Sequence, residues 1–448
     1  MKYFFTLTFS LLVTSSLWAQ KIAKSQALED LTFLERILVN GHPVNYNPAH
    51  PKVTLLPLLQ KLKANQQDSL TSTQFQRLLR EAIFRMGCVH TRISKVPTEP
   101  GKTNKVFFPS SLWIRNGILV DTLNRAVQAI NGIAAQQLVD EIRHLYASDG
   151  ATTALSTAVF NKNSSWLVSQ YLNYPAQYTM RLDTTTLLLQ AVSSPPSVPH
   201  TSSSSADQVL FRNEDNVFYL TSSVPVLKLT EFRKNDRALI KKSFRYLEQT
   251  PAKQLILDLR DNLGGNRQSA VALTQHLLKD VAFSYTILQP KPSIWQYLNG
   301  KGKLYLALSK LKYNVGQFYR GQKTALGRAF VYRYRPSKHP FEGQVYVLTD
   351  GYTASASTMV TSWLKQHSSA RFVGQQSGGG YNGNNGGSFP TVTLPNTKYE
   401  ISTPAYRLIL DAGSSQAQGI MPDVIIEPDG AKDAALKRTI ELIGAGGE

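Results

Sequence analysis

The stretch that decides the fold is Val345-Tyr346-Val347-Leu348-Thr349-Asp350-Gly351-Tyr352-Thr353-Ala354-Ser355-Ala356-Ser357-Thr358. Its apolar run ends at a turn containing glycine, and this pattern predicts a buried β-strand followed by a helix whose first turn carries Ser355. Backbone N–H groups at a helix start are unpaired, so an oxyanion formed when Ser355 attacks a carbonyl would be stabilised there. Serine and threonine are also favoured as helix caps, so this stretch alone leaves a purely structural role open.

A second strand and turn of this kind lie upstream, at Gln254–Leu259 and Arg260-Asp261-Asn262-Leu263-Gly264-Gly265-Asn266, before a predicted helix at Arg267–Leu278. Strands that alternate with helices are typical of an α/β core. The other elements predicted in this half are the strand Val217–Leu220, the helix Asn235–Gln249, the strand Arg371–Gly374, a strand pair within 389–408 and the strand Val424–Ile426.

The first part of the chain has helical spacing of apolar residues. The helices predicted there are Ser25–Asn40, a second at about 51–64 and a third that opens at Thr71 and ends at Gly87. His90 follows directly, in Gly87-Cys88-Val89-His90-Thr91. A histidine at this place also suits a helix C-terminal cap or an exposed position, so the local pattern does not assign it a role.

Between about residues 105 and 188 the pattern changes to short strands and turns. Asn116-Gly117 between two apolar runs is a strong hairpin signal, and a helix is predicted at Ala135–Tyr146. Residues 193–207 are rich in proline and serine. Such a composition predicts a linker or flexible loop that divides the chain.

The N-terminus resembles a secretory signal. Lys2 precedes the apolar run Phe4–Val13, and small residues lead to Ala19, so we expect cleavage after Ala19 and export to the periplasm or the exterior. A membrane anchor is the alternative, but the run is shorter than the roughly 20 residues that span a bilayer. Cys88 is the one cysteine, which excludes an intrachain disulfide framework.

The 448-residue chain has a formal net charge of +19. Part of the excess lies in Lys301–Lys338, which holds ten Lys and Arg residues, five tyrosines and no acidic residue. Such a mixture can contact an anionic surface or a nucleic acid, although charge runs are more often solvated faces. An exported protein meets little nucleic acid, so we expect no nucleic-acid partner and keep an anionic surface contact as a possibility.

Cofactor signals are weak. Ser377–Gly387 contains six glycines, but it lacks the Gly-Lys-Ser/Thr ending of a phosphate-binding loop. The sequence shows no cluster of His, Cys and acidic residues with metal-ligand spacing. We therefore expect neither a nucleotide nor a metal.

Several of these motifs together resemble one family. Leu257-Asp258-Leu259-Arg260-Asp261-Asn262-Leu263-Gly264-Gly265 is similar to a signature of the tail-specific (C-terminal processing) serine proteases, and Thr353–Ser357 is similar to their nucleophile motif. Val373-Gly374 with the glycine-rich loop resembles the following segment, and Gly419–Asp423 resembles the closing turn. Gly87–Thr91 resembles an element that exported bacterial members carry after an N-terminal helical region.

The resemblance implies an α/β fold with a crotonase-like protease core, an N-terminal helical region and a PDZ-like insert. A PDZ-like domain docks peptide termini on a sheet edge. The implied parts are a signal peptide at 1–19, the helical region at 20–100, the PDZ-like domain at 105–192, the linker at 193–207, the core at 208–430 and a C-terminal helix at 431–448.

The resemblance also implies catalytic roles. The nucleophile of the family corresponds to Ser355. One branch activates it with a lysine, but Gly380 occupies that place, so a Ser-Lys dyad is not expected. The tricorn-like branch uses a histidine, which corresponds to His90, and a glutamate, where this chain has Gln416.

The turn with Gly264 and Gly265 and the turn with Ser355 can then act together. The N–H groups of Gly264 or Gly265, opposite that of Ala356, can form an oxyanion hole, since glycines let a substrate carbonyl approach closely. Asp258 and Arg260 are expected to brace this turn as an ion pair rather than to act in catalysis.

These expectations describe an exported serine peptidase that acts on peptides or proteins, with Ser355 as nucleophile and His90 as general base. The alternative is a peptide-binding protein with the same fold and impaired catalysis. The missing glutamate and lysine favour the alternative, whereas Ser355, His90 and the glycine pair favour the enzyme.

Overall fold

The computed structural model describes residues 21–47, 53–97, 105–196, 207–291, 293–314, 321–414, 416–427 and 433–445. The predicted signal peptide, at 1–19, lies outside these ranges, as does most of the predicted linker. In the described part of the chain, no helix combines the length and the apolar character needed to cross a bilayer.

The helices alternate with strands along the chain. The α-helices of the described ranges are α1 Lys24–Gly41, α2 Leu56–Ala64, α3 Ser72–Arg85, α4 Ala135–Arg143, α5 Ala154–Tyr171, α6 Asp236–Gln249, α7 Arg267–Leu277, α8 Gly300–Asn314, α9 Ala356–His367 and α10 Ala434–Ala445. The strands of the first half are β1 Lys21–Ala23, β2 Ser69–Thr71, β3 Arg92–Lys95, β4 Trp113–Arg115, β5 Ile118–Val120, β6 Val127–Ile130, β7 Ile133–Ala134, β8 Gln177–Leu182 and β9 Thr186–Gln190. Those of the second half are β10 Gln208–Asn213, β11 Asn216–Thr221, β12 Val224–Lys228, β13 Gln254–Asp258, β14 Phe283–Pro290, β15 Gln322–Thr324, β16 Gly327–Tyr334, β17 Gln344–Thr349, β18 Arg371–Gly374, β19 Gly383–Gly386, β20 Thr391–Thr393, β21 Glu400–Ser402, β22 Tyr406–Ile409 and β23 Val424–Ile425.

The centre is a seven-stranded sheet in the order β10-β11-β12-β13-β17-β18-β23. The pairs from β12 to β23 are parallel. Successive side chains of a strand point to opposite faces, and both faces are covered here. Leu255 and Leu257 of β13 pack in the cluster that includes α6, α7 and α9, whereas Ile256 packs in the cluster that α10 covers. The expected α/β architecture is therefore observed.

A second sheet packs against the first through the same core. Its order is β15-β16-β14-β22-β19, and its pairs are antiparallel. Trp363 of α9 is fully buried and donates from its indole Nε1–H to the carbonyl of Ser284 in β14. This sheet therefore lies directly beside the helix that follows Ser355.

The N-terminal helices share a core with a distant part of the chain. The cluster of α1, α2 and α3 also contains Leu394, Tyr399 and Ile401, and β3 pairs with β21. The Ser72 hydroxyl lies 2.7 Å from the Tyr399 hydroxyl in a buried contact. These contacts place the segment after α3, which contains His90, against the C-terminal half of the molecule.

Residues of 105–192 share a hydrophobic cluster in which α4 packs on β5, β6 and α5, and α5 packs on β4. The 18-residue helix α5 contradicts the expectation of only short strands after the predicted helix at 135–146. The helical spacing of apolar residues in α5 is obscured because serines occupy some of its buried positions. Ser164 and Ser169 are stable there because they accept hydrogen bonds from the N–H groups of Leu112 and Phe108. Helix α8 was also missed: Leu304, Leu308 and Leu311 form an exposed apolar stripe, whereas the buried Leu306 lies on another face, so apolar residues are not confined to one side.

Candidate active site

Ser355 stands between β17 and α9 in a strained backbone conformation. It is the N-cap of α9, with φ 58° and ψ −118°, a region that residues with a side chain rarely occupy. The Asp350 carboxylate holds the turn by accepting from Tyr352 N–H at 2.9 Å, and the Thr353 hydroxyl donates to the Leu259 carbonyl at 2.9 Å. Ser355 is only partly buried, so its side chain is accessible at the start of α9.

The turn after β13 lies against this serine. A Cβ added to Gly264 would come within 2.6 Å of the Ser355 Cβ and 2.7 Å of the Ala356 nitrogen. Gly264 has φ +102°, so both its conformation and its surroundings require glycine. The structure therefore brings the two glycine-containing motifs together.

The three candidate oxyanion donors differ in their present partners. Gly264 N–H donates to the Asn262 side-chain oxygen at 2.8 Å and so already holds the turn. Gly265 forms a bridge with Phe232 through the flanking groups, since Phe232 N–H donates to the Gly264 carbonyl and Asn266 N–H to the Phe232 carbonyl. The bridge does not use the N–H of Gly265 itself, which therefore points away from Phe232. Ala356 is the first residue of α9, where an N–H has no partner within the helix.

Asp258 and Arg260 form the expected brace. Arg260 makes two hydrogen bonds to Asp258, of 2.8 and 2.7 Å, and pairs with Asp433 just before α10. Burial alone would raise the pKa of Asp258, but the Arg260 guanidinium outweighs it and holds this pKa below its usual value. The pair fastens the turn to the C-terminal helix and does not reach the reacting groups.

His90 lies just after α3. Its ring stacks on Phe389 with centroids 5.4 Å apart. Its Nδ1 is buried and makes no hydrogen bond to any described residue. Burial, with a smaller contribution from the charge of Arg92, lowers the pKa of His90 to about 4. The ring is therefore neutral at physiological pH, as a general base must be before it accepts a proton.

Gln416, which occupies the place of the family glutamate, is exposed, and its amide donates to the Gly419 carbonyl at 3.3 Å. Among the described residues no hydrogen bond joins it to His90. The structure thus brings His90 close to the C-terminal half without giving it Gln416 as a partner.

Asp149 is the carboxylate that the sequence analysis missed. Its two oxygens accept from the N–H groups of Val89 and Gly380, both at 3.1 Å, and the side chain is buried. The ligand atoms of Cys88, His90 and Asp149 lie within 4.8 Å of one another. Burial raises the pKa of Asp149 to about 6, against the two N–H groups and Arg407, which lower it. No local signal marks this residue, because its partners come from distant parts of the chain.

These three side chains are of types that bind metals. However, burial and, to a smaller extent, the charge of Asp149 raise the pKa of the Cys88 thiol to about 11. The thiolate that a zinc ion requires is therefore disfavoured, although the buried guanidinium of Arg407 acts in the opposite direction. This environment fits a neutral thiol in a packed core better than a metal ligand.

The glycine-rich segment contacts both halves of the candidate site. The Asn384 side chain donates to the Ser355 carbonyl at 3.3 Å, Gly380 N–H donates to Asp149, and Phe389 stacks on His90. Ser355, His90 and Asp149 are therefore linked through one segment that follows β18. Serine, imidazole and carboxylate beside backbone donors form a set that can carry out acyl transfer.

Comparisons with known proteins agree with this chemistry. Residues 223–426 match the model of peptidase family S41. Mature CPAF complexed with lactacystin is 14% identical, with a TM-score of 0.56, over 94% of this chain and 97% of its own. A CPAF mutant is 15% identical, with a TM-score of 0.59, over 94% of this chain and 96% of its own. No curated protein matches the sequence.

The two structural matches show that the fold is shared along nearly the whole chain. The family match spans both the Gly264 turn and the Ser355 turn. The expectation from the motifs is thereby confirmed: residues 223–426 match peptidase family S41, and the chain is a serine-type peptidase.

Proposed function

We propose that this protein hydrolyses peptide bonds in peptides or proteins with Ser355 as nucleophile and His90 as general base. The observation that carries the proposal is the strained conformation of Ser355, held at the start of α9 with the Gly264 backbone packed against it. Strain of this kind persists where the surroundings enforce it, and it occurs preferentially at active sites.

The chemistry follows from the positions of the groups. The Ser355 oxygen attacks the substrate carbonyl carbon while its proton passes to the neutral His90 ring, and the N–H groups of Gly265 and Ala356 bind the resulting oxyanion. His90 then gives the proton to the departing amine, which leaves an acyl-enzyme. Water, deprotonated by His90, releases the acid product and restores the serine hydroxyl.

Asp149 supplies the negative charge that Gln416 cannot. Its carboxylate lies near the His90 ring and is held by the N–H groups of Val89, next to His90, and of Gly380. In its ionised form it favours the imidazolium that forms during proton transfer. We therefore assign Asp149 the positioning role that the glutamate has in the tricorn-like branch.

The proposal also covers the domain architecture of the protein and its export. The parallel sheet with α7 and α9 on one face supports a crotonase-like core, and the antiparallel sheet of 127–190 with α4 and α5 supports a PDZ-like insert. The charged, apolar and small-residue pattern of residues 1–19 supports export to the periplasm or the exterior.

Labelling with a serine-reactive fluorophosphonate tests the proposal. We expect wild-type protein to be labelled, Ser355→Ala to remain unlabelled and His90→Ala to be labelled at least about 10²-fold more slowly, since a general base contributes this much. Ser357→Ala is the matched control, because Ser357 is in the same helix, is buried and has no hydrogen-bond partner among the described residues for its hydroxyl.

Identification of peptide termini released from a proteome by wild type, but not by Ser355→Ala, then defines the substrates. Wild-type protein that neither reacts with the probe nor releases termini would overturn the proposal in favour of a peptide-binding protein.

A further inference from the structure

The basic stretch of the sequence forms part of a cavity. This cavity of about 540 Å³ lies between α8, the β15–β16 hairpin and the end of β14. Ile294, Leu306 and Tyr406 provide apolar wall. The volume falls within the range of sites that bind small molecules or peptide side chains.

The charged side chains around the cavity are all cationic. They are Lys291, Lys310, Lys323 and Arg328. No acidic residue is found among the described residues that line the cavity, and the sequence has none in 301–338. Among the described residues, no carboxylate lies within ion-pair distance of the three lysines. These three lysines line one cavity and carry like charges, which repel one another, so an anion entering the cavity would relieve that repulsion.

Lys310 shows that the charges are not simply solvated. It is partly buried and lies over the Trp295 ring, with its Nζ 5.2 Å from the ring centroid. Burial lowers the pKa of Lys310. A cation held against an aromatic wall at the rim of a concave site interacts more strongly with an anion than an exposed lysine does.

The cavity is connected to the candidate active site. Phe389, which stacks on His90, donates from its N–H to the hydroxyl of Tyr305 in α8 at 3.4 Å. Tyr406 lines the cavity and pairs with Gly386 in β19, the strand whose Asn384 donates to the Ser355 carbonyl. The cavity is thus one strand away from the segment that contacts Ser355.

We propose that this cavity binds the side-chain carboxylates of an acidic segment in peptide substrates whose scissile bond lies at Ser355. The inference rests on the proposed function and deepens it by naming a substrate class. The concave shape favours a peptide over an anionic membrane, because a membrane surface would contact a flat or protruding patch rather than enter a cavity.

Binding is tested without catalysis in the Ser355→Ala background. The probes are a fluorescent peptide with a run of glutamates and a twin with glutamines, both amidated at the C-terminus so that only side-chain carboxylates differ. We expect the glutamate peptide to bind about tenfold more tightly. Lys310→Gln with Lys323→Gln should abolish this preference.

Lys301→Gln with Lys338→Gln is the matched control, because both lysines are exposed, belong to the same basic stretch and do not line the cavity. It removes the same charge and should keep the preference. Equal loss in the two double variants, or equal binding of the two peptides to the parent, would overturn the inference. So would binding of phosphatidylglycerol vesicles that the cavity variant loses while the peptides show no difference.

A catalytic measurement separates the inference from the proposed function. With the serine intact, kcat/KM for the glutamate substrate should fall about tenfold in the cavity variant, while that for the glutamine twin stays unchanged. If the peptide preference is present in binding but neither peptide is cleaved, the proposed function fails and the anion site stands. If both peptides are cleaved equally well by every variant, the proposed function stands and the anion site fails.

Discussion

In the proposed mechanism, the ionisation of His90 and Asp149 decides when the site can act. His90 has a pKa near 4, below its usual value because burial disfavours the charged ring. Asp149 has a pKa near 6, above its usual value because burial disfavours the carboxylate. The neutral ring and the ionised carboxylate are therefore present together only above about pH 6. Ionisation of Asp149 weakens the folded state, so the stability it contributes at low pH is lost as the pH rises through its folded pKa.

From this we predict the pH dependence of hydrolysis. In wild type, kcat/KM for a peptide substrate should rise with pH through an apparent pKa near 6, as Asp149 loses its proton. In Asp149→Asn the acid limb should move towards the pKa of His90, near 4, and the plateau should fall by about 10²-fold. Asp140→Asn, which changes an exposed carboxylate of α4, is the control. An unchanged acid limb in Asp149→Asn would remove Asp149 from the mechanism.

At the scale of elements, the site is made where two strand-to-helix turns meet. The turn from β13 to α7 carries Gly264, and the turn from β17 to α9 carries Ser355. The strands pair in parallel and α7 packs on α9, so both turns emerge at the same edge of the sheet. Ligand sites in parallel sheets lie at the carboxyl ends of the strands for the same reason.

We predict that Gly264→Ala disrupts this junction. A methyl group would overlap the Ser355 Cβ and the Ala356 nitrogen, so we expect a loss of roughly 2–4 kcal/mol in unfolding free energy and near-complete loss of fluorophosphonate labelling. Gly132→Ala is the control, since Gly132 also has positive φ, +75°, but has no atom within 4 Å of the added Cβ. It should cost about 1 kcal/mol and keep labelling, because only backbone strain applies. Similar costs in urea unfolding would show that crowding at Ser355 is unimportant.

At the scale of the whole molecule, the N-terminal region and the C-terminal half act as one unit around the site. The buried Asp30 of α1 accepts hydrogen bonds from Asn396 N–H at 2.8 Å and Thr397 N–H at 2.9 Å, in the connection between β20 and β21. Strand β21 also pairs with β3, which follows His90. The position of His90 therefore depends on how well these two regions dock.

We predict that Asp30→Ala weakens this docking and, through His90, catalysis. Two backbone donors lose their acceptor, so the unfolding free energy should fall by roughly 3 kcal/mol, and kcat/KM should fall while the far-UV circular dichroism is retained. Glu29→Ala is the adjacent control, because Glu29 accepts only an exposed hydrogen bond, from the Asn396 side chain, and it should change stability by no more than about 0.5 kcal/mol. Equal effects of the two variants would contradict the predicted role of Asp30.

Much of the core architecture could be predicted because its signals are local. The strands Gln254–Asp258 and Gln344–Thr349 and the helices Arg267–Leu277 and Ala356–His367 fall within a residue or two of their expected places. Apolar runs, glycine turns and helix caps act over a few residues and are therefore visible in a single sequence. Helices α5 and α8 were not predicted, since buried serines in α5 and apolar residues on more than one face of α8 obscure the apolar period.

The sequence by itself determined the similarity of residues 223–426 to peptidase family S41, the α/β core and the candidates Ser355 and His90, since each depends on short motifs. Only the tertiary structure decided that Asp149 lies near His90, that the Gln416 amide donates to the Gly419 carbonyl, and that Gly264 N–H is already bonded within its own turn. The charged cavity beside β22 was likewise visible only after folding. The physical reason is that these contacts join residues far apart in the chain, whose proximity follows from how the sheets and helices pack and not from any local pattern.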